Sequence, residues 1–320
     1  MTKLSAASPA EVTRLYQDLL SGVGRNVIGQ DAAVRLAFIT LICGSHSLIE
    51  GVPGVAKTLL VRSVASCLGV RFGRLQFTPD LMPSDIIGTP ILDPRTGELR
   101  FRPGPLFTDL LLADEINRAS AKTQAALLEA MQERAATVDG QKHELGPHFA
   151  VFATQNPVEQ EGTYPLPEAQ LDRFLFKIVI DYPSEEDERA LLERHHGDEA
   201  PTAASPIRML AGEIDRARAV VRDVGVKPEI TAYVASLVRA TRDDLHFVLG
   251  GSPRAGVLLL RAAKANAAIE GRDYVLPEDV QEMWLPALRH RVQLEPAAEV
   301  EGLVADEALR RTLEGVTVPR

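Results

Sequence analysis

The chain has 320 residues, of which 45% are hydrophobic and 25% charged, and its formal net charge is −9. This composition excludes a disordered chain and is ordinary for a folded protein large enough for two domains. The acidic balance opposes wide, nonspecific nucleic-acid binding, although a local basic pore would escape that test.

The sequence shows no clear membrane-spanning, signal-peptide or paired-cysteine pattern. No apolar stretch approaches the roughly 20 residues that span a bilayer, and the first residues lack a signal-peptide core. We therefore expect a cytoplasmic location. Cys43 and Cys67 are the only cysteines, and neither lies in a C-x-x-C pair. We expect no structural disulfide and no zinc site.

Strand and helix signals alternate through the first half of the chain, which predicts a doubly wound α/β domain with a parallel sheet. The predicted strands cover residues 47–49, 71–77, 110–113, 149–154 and 174–180. Small and polar residues then indicate a linker. Helical patterns follow at 209–223, 229–242, 253–270 and 277–290. The predicted division is an α/β domain over 1–182, a linker over 183–206 and a small α-helical domain over 207–320.

A glycine-rich turn follows the first predicted strand, where the chain reads GVPGVAKT. Such a loop lets backbone N–H groups face a β-phosphate, and the next helix points its partially positive N-terminus at the same anion. Lys57 would reach the β- and γ-phosphates, and the Thr58 hydroxyl would coordinate Mg²⁺. The alternative is a glycine-proline turn ahead of an unrelated helix. The predicted nucleotide-binding residues are Gly51, Val52, Pro53, Gly54, Val55, Ala56, Lys57, Thr58 and Leu59.

Ala56 departs from the usual loop pattern G-x-x-x-x-G-K-[ST], because it replaces the glycine before the lysine. Alanine is compatible with the loop if this position has right-handed helical dihedral angles. We therefore expect Ala56 to be right-handed, with Gly51 and Gly54 supplying the conformational freedom.

A second motif begins at Asp109, where the chain reads DLLLADEINR, an apolar run of strand length that ends in adjacent acids. Parallel strands gather ligands at their carboxyl ends, so Asp114 is expected beside the phosphate loop. Asp114 would hold Mg²⁺ directly or through water, and Glu115 would polarise the water that attacks the γ-phosphate. The alternative is a strand followed by a solvated acidic turn.

Two segments have the pattern of β-hairpins. Residues 87–101 form two β-like arms around Pro94 and Gly97, and residues 136–145 turn at Asp139-Gly140. Both could be plain surface hairpins. No aromatic-hydrophobic pore loop of the unfoldase kind is evident in the sequence, which weakens a threading mechanism.

Several motifs follow one another along the chain: VIGQD (27–31), GVPGVAKT, FTPDLMPSDIIG (77–88), FRPGPLF, ADEINR, ATQNP and LPEAQLDRF. Their order resembles that of AAA+ ATPases and, more narrowly, of the MoxR family, whose own loop is similar at Ala56. The resemblance implies a P-loop NTPase fold with a five-stranded parallel sheet and a helical lid. It also implies a helix-2 insert near 87–103, a pre-sensor-1 hairpin near 135–146, and ATP and Mg²⁺ as cofactors.

The resemblance extends to single residues. Asn156 resembles the sensor that orients the attacking water or γ-phosphate, although it could belong to an ordinary Asn-Pro turn. Arg254 in GSPRA resembles the second sensor, whose guanidinium reaches the γ-phosphate and couples the lid angle to the nucleotide state. Gly29-Gln30 resembles the segment that packs against the base, but these residues could merely cap the following helix.

Arg173 in LDRF resembles the arginine finger, which serves the nucleotide of the neighbouring subunit. Its presence implies a ring-shaped homo-oligomer, and we expect a hexamer. The alternative for Arg173 is a surface salt bridge, which contributes about 0–1 kcal/mol.

The resemblance implies Mg²⁺-dependent ATP hydrolysis that drives chaperone-like maturation or activation of a client, often a protein with a von Willebrand factor A domain. A DNA-acting AAA+ motor is the alternative, disfavoured by the acidic balance and the lack of a basic stripe. A P-loop phosphotransferase for a small molecule is a third hypothesis, and would need no arginine from a neighbour. A nucleotide-gated scaffold with little turnover is a fourth.

Overall fold

The computed structural model describes residues 8–52, 54–155, 164–195 and 211–319. The helices are α1 (Pro9–Gly24), α2 (Asp31–Ile42), α3 (Lys57–Leu68), α4 (Pro83–Ile87), α5 (Ala121–Glu133), α6 (Glu168–Leu171), α7 (Glu185–His195), α8 (Ala211–Asp223), α9 (Pro228–Asp243), α10 (Pro253–Ile269), α11 (Pro277–Leu288), α12 (Pro296–Val300) and α13 (Ala305–Gly315). The strands are β1 (Ser47–Gly51), β2 (Phe72–Gln76), β3 (Gly88–Leu92), β4 (Leu99–Pro103), β5 (Leu110–Asp114), β6 (Ala135–Val138), β7 (Gln141–Glu144), β8 (Ala150–Gln155), β9 (Phe176–Ile180), β10 (Phe247–Leu249) and β11 (Gln293–Leu294).

The central element is a five-stranded sheet in the order β2-β5-β8-β1-β9. All its neighbouring strands are parallel. Each strand overlaps one of the predicted apolar runs, and the predicted fold class is confirmed. Because the strands are parallel, their carboxyl ends lie at one edge of the sheet and their amino ends at the other.

Both faces of the sheet are covered, and alternate residues of each strand serve opposite faces. On β5, Leu110 and Leu112 belong to one apolar cluster, which also contains core residues of α1, α2, α3 and of α8 to α11. Leu111 and Ala113 belong to a second cluster, which includes core residues of α5. The C-terminal helices therefore share one core with a face of the sheet.

The C-terminal part of the chain is mainly helical, as predicted. Trp284 of α11 is fully buried, and its indole N–H donates to the carbonyl of Leu309 at 2.8 Å. Within the predicted linker, residues Glu185–His195 form α7. The acids in its first turn favour a helix start, because they lie against the positive end of the helix dipole. The domain boundaries themselves remain a prediction.

Two antiparallel hairpins lie outside the central sheet, β3 with β4 and β6 with β7. The second turns at Asp139 and Gly140, whose φ angles of 48° and 76° are typical of a tight hairpin turn. The ring of Phe101 on β4 stacks on His143 of β7 with centroids 4.0 Å apart. The two hairpins therefore contact each other.

His46 joins the start of β1 to β8 inside the core. Its Nδ1 accepts the N–H of Val151 at 2.9 Å, so Nε2 carries the proton and faces the carbonyl of Met131 at 3.3 Å. Burial lowers the pKa of His46 to about 3, and the nearby Arg134 guanidinium adds to this. The imidazole is thus buried in its neutral form.

We expect this histidine to make folding sensitive to acid. Between pH 6.5 and pH 3 the unfolded chain binds a proton that the folded chain does not. Each unit by which the pH falls in this range therefore lowers the free energy of unfolding by about 1.4 kcal/mol. His46→Asn keeps an acceptor for Val151 and removes the titration. Urea unfolding at several pH values measures the free energy of unfolding against pH. The slope of this plot should be shallower by about 1.4 kcal/mol per pH unit in the variant. Equal slopes would contradict this assignment.

Among the described helices, none combines the length and apolar character needed to cross a membrane.

Candidate functional site

The glycine-rich loop leaves the carboxyl end of β1 and leads into α3. A Cβ on Gly51 would lie 2.4 Å from the carbonyl oxygen of Ile180, so a larger residue would displace β9. Gly54 has φ +90°, which L side chains rarely adopt. The two glycines are thus required for different reasons, close approach and backbone conformation. Pro53 lies outside the described residues.

Ala56 has φ 60° and ψ 24° and is the N-cap residue of α3. The expected right-handed conformation is therefore wrong. The loop needs a left-handed residue here to turn the chain into the helix, and this requirement overrides alanine's preference. An L residue in this region costs about 1–2 kcal/mol. The usual glycine of the pattern would avoid that cost.

We predict that Ala56→Gly stabilises the protein. Relief of the left-handed alanine should exceed the extra entropy of glycine in the unfolded chain, for a net gain of about 0.5–1 kcal/mol. Ala125→Gly is the matched control, because Ala125 is exposed in the middle of α5 and should lose about 1 kcal/mol. Denaturant unfolding of both variants measures the difference; destabilisation of the same size in both would contradict the prediction.

The start of α3 has the donors of an anion site. The first i to i−4 backbone hydrogen bond of this helix runs from Leu60 N–H to Ala56 O, and the Ala56 side chain provides no cap. The N–H groups of Thr58 and Leu59 precede this hydrogen bond, as at every helix start. Lys57 Nζ donates to the carbonyl of Gly51 at 2.6 Å, so its ammonium lies over the loop. This arrangement fits a phosphate.

Asp114 ends β5 at the same edge, two strands away from β1, or about 10 Å. It is only 8% exposed. Its Oδ1 accepts from Thr154 Oγ1 at 2.6 Å, and its Oδ2 accepts from Arg74 Nη2 at 2.7 Å. Side chains from both neighbouring strands therefore hold this carboxylate. Oxygen donors such as the Asp114 carboxylate and the Thr58 hydroxyl suit Mg²⁺, which usually keeps several of its waters.

Glu115 has φ 56°, an uncommon value for a residue with a side chain. Its N–H donates to Thr154 Oγ1 at 2.9 Å. Its Oε2 accepts from Gln76 Nε2 at 2.7 Å and from Arg118 Nη1 at 3.0 Å. The carboxylate is thus held in one orientation at the edge of the sheet. Backbone strain of this kind is common at functional sites.

The sequence reasoning missed Arg74, Gln76 and Thr154, which hold the acidic pair. The available signal was the presence of polar residues at the ends of predicted strands. Only the register shows their role, because it pairs Gln76 with Asp114 across β2 and β5. Asn156 lies outside the described residues.

Gly29 and Gln30 lie against the chain that leaves β9. Gly29 has φ +73°, and a Cβ there would be 2.5 Å from the Asp187 carboxylate. Gln30 is the N-cap residue of α2 without a side-chain cap, and its amide donates to Asp181 O at 3.3 Å. A contact of this segment with a base remains a prediction.

Arg173 lies at the amino edge of the sheet. Nearby, Leu175 N–H donates to His46 O, just before β1 and β9 begin, and Arg173 Nη1 donates to Leu128 O at 2.8 Å. The phosphate loop follows the opposite end of β1, about 13 Å away at 3.3 Å per residue. The structure therefore does not bring Arg173 to the phosphate loop of its own chain.

Arg254 is exposed at the start of α10. The N-cap of this helix, Ser252, donates through Oγ to Asp172 Oδ2 at 3.0 Å. Arg254 therefore lies beside the segment that carries Arg173, also at the amino edge. The hydrogen bond between Ser252 and Asp172 thus joins the segment of Arg254 to the segment of Arg173, away from the end of β1 that leads into the phosphate loop.

Known proteins are similar to this chain along most of its length. The family model described as ATPase family associated with various cellular activities (AAA) matches residues 46–176, and the AAA lid domain model matches residues 239–312. Chaperone MoxR1 of Mycobacterium tuberculosis is 42% identical over 320 residues, covering 97% of this chain and 84% of that protein. The chain belongs to the MoxR family of AAA+ ATPases.

Two further relatives agree with this membership. Protein MoxR of Paracoccus denitrificans is 35% identical, covering 89% of this MoxR-family chain and 90% of the relative. The crystal structure of a candidate ATPase from Cytophaga hutchinsonii matches with a TM-score of 0.90 and 38% identity, over 98% of this chain and 97% of that one. AAA+ membership implies that the site binds a nucleotide.

Proposed function

We propose that this MoxR-family chain hydrolyses ATP with Mg²⁺ in a ring of identical subunits and uses the hydrolysis to remodel a client protein. One observation carries the proposal. The phosphate loop and acidic pair occupy the carboxyl edge of the sheet, whereas the segments that carry Arg173 and Arg254 are joined near its amino edge.

The residues at the carboxyl edge would divide the chemistry among them. The start of α3 and Lys57 would bind the phosphates, and Thr58 and Asp114 would hold Mg²⁺. Bound Mg²⁺ would neutralise charge on the β- and γ-phosphate oxygens. Glu115, oriented by its hydrogen bond from Gln76, would accept a proton from the attacking water.

The two arginines would act on the nucleotide of the next subunit. A head-to-tail contact places the arginine edge of one chain against the phosphate edge of another, and repetition of such a contact gives a ring when the rotation between subunits closes. We propose a hexamer. In this arrangement Arg254 would sense the neighbour's γ-phosphate rather than its own.

The client would be a protein, contacted in part by the first hairpin. Ile91, Leu92 and Leu99 of this hairpin are 46%, 62% and 68% exposed. Exposed apolar side chains grouped in this way suit contact with a protein surface. The name of one relative, Chaperone MoxR1, supports a chaperone-like role. We propose that the protein acts in the cytoplasm. We propose a partner with a von Willebrand factor A domain.

A DNA-acting motor is a second candidate, because the same hairpin carries Arg95, Arg100 and Arg102. Cations of this kind could contact phosphates. One of the three, Arg100, already pairs with Asp93 at 3.3 Å.

Affinity capture with Glu115→Gln tests the client proposal. This variant should hold ATP without turning it over, so a client should be retained from the source-cell lysate with ATP and released with ADP. Glu129→Gln, on an exposed part of α5, is the matched control and should retain the client in neither state. Retention of nucleic acid would favour the DNA-acting motor, and retention of nothing would contradict client remodelling.

A further inference from the structure

Asp172, the residue before Arg173, is bound by two residues that flank helices in the C-terminal part of the chain. Its Oδ1 accepts from Arg291 Nε at 2.8 Å, just beyond the end of α11. Its Oδ2 accepts from Ser252 Oγ at 3.0 Å, at the start of α10. One carboxylate thus connects three separate segments.

Arg291 is only 5% exposed and is fully paired. Besides Asp172, its guanidinium donates to the carbonyls of Leu175 at 3.1 Å, Phe174 and Ala287. Burial lowers the pKa of Arg291 to about 10, and Asp172 opposes this shift. The guanidinium therefore remains charged at neutral pH and is bound almost entirely to residues 172–175.

The connection reaches both candidate trans-acting arginines. Arg173 follows Asp172 directly in the chain. Ser252 caps α10 by accepting the N–H of Ala255 at 3.1 Å, and Arg254 lies within that first turn. The N-terminus of α10, which carries Arg254, is therefore joined through Asp172 to the segment that carries Arg173.

We infer that the Asp172–Arg291 ion pair is a positioning device, which presents Arg173 and Arg254 as one rigid unit to the nucleotide of the next subunit. This inference rests on the proposed function. Neither partner of the ion pair reaches that nucleotide. Asp172 acts through the backbone of Arg173 and through Ser252. Arg291 acts through Asp172 and through the carbonyls of Phe174 and Leu175.

A role in geometry fits this pair better than a role in stability alone. Buried ion pairs add little net stability, because desolvation offsets their attraction. Misplacement of a catalytic group by about 1 Å, in contrast, can reduce a rate by about a hundredfold. A displacement of the Asp172–Arg291 pair would move both Arg173 and Arg254.

The test uses Asp172→Asn and Arg291→Lys in the full chain. We expect the affinity for ATP to stay within about twofold, because the phosphate loop lies at the other edge, and kcat to fall by about tenfold or more. The phosphate site of Asp172→Asn remains intact. Mixing this variant with Glu115→Gln should therefore restore turnover, since Glu115→Gln subunits supply correctly placed arginines.

Asp279→Asn is the matched control. Asp279 lies in the first turn of α11, at the end of the helix far from Arg291. It is 1% exposed and pairs with Arg272 at 2.7 Å. Its loss should lower the unfolding temperature but change kcat by less than about twofold, with no gain on mixing. Ser252→Ala leaves Arg291 paired with Asp172 and serves as the test if Asp172→Asn does not fold. It should show a severalfold loss of kcat, and mixing with Glu115→Gln should restore turnover.

A mixture of Arg173→Ala and Glu115→Gln separates this inference from the proposed function. If that mixture recovers turnover and the Asp172→Asn mixture does not, the positioning role is wrong and the ring proposal stands. An unchanged kcat in Asp172→Asn also overturns the positioning role. If the Arg173→Ala mixture shows no recovery, action on the neighbouring subunit is wrong, and the inference falls with it.

Discussion

Arg173→Ala should leave ATP binding intact and reduce hydrolysis by about 10³ to 10⁵, the usual contribution of an arginine finger. This corresponds to about 4–7 kcal/mol of transition-state stabilisation. The reason is positional, because Arg173 lies at the edge of the sheet opposite its own phosphate loop. Titration with a fluorescent ATP analogue measures binding, and steady-state phosphate release measures hydrolysis.

Arg311→Ala is the control for loss of a surface arginine. Arg311 forms an exposed pair with Glu307 at 2.6 Å, and such pairs contribute about 0–1 kcal/mol to stability. Its removal should leave hydrolysis unchanged. If Arg173→Ala behaves in the same way, Arg173 is a structural residue and the finger assignment is wrong.

Glu115→Gln should keep ATP bound and lower the hydrolysis rate by about 10² to 10⁴, the usual contribution of a general base. Glutamine has nearly the same shape and can still accept the hydrogen bond from Gln76, so the site should keep its geometry. Single-turnover measurements with excess enzyme isolate this step. Retained hydrolysis at the native rate would show that another group accepts the proton.

The sheet was predictable because parallel strands are buried on both faces and therefore appear as apolar runs. Residues 110–113 were predicted as a strand, and the structure has Leu110–Asp114. The hairpin at Asp139-Gly140 was predictable for a similar reason, since few residue pairs adopt that turn. Local sequence chemistry decides both features.

Ala56 shows where local preference fails. Alanine favours right-handed dihedral angles, yet the position is left-handed because the loop must turn into α3 there. The glycine usual at this position was the better indicator of its conformation. Tertiary geometry determined the outcome at this residue.

The second layer of the site could not be predicted from single residues. Arg74, Gln76 and Thr154 are polar residues on strands, and only the pairing of β2, β5 and β8 places them against the acidic pair. The order of motifs also could not show which edge of the sheet Arg254 occupies. That depends on the docking of α10 against Asp172.

The most direct test of action between subunits is the specific ATPase activity measured across protein concentration, together with the particle mass at each concentration. We predict that activity per chain is low where the protein is monomeric, rises as larger particles form and levels off when assembly is complete. Arg173→Ala should assemble over the same range without the rise. A specific activity that stays constant down to concentrations at which only monomers exist would contradict catalysis at a shared site.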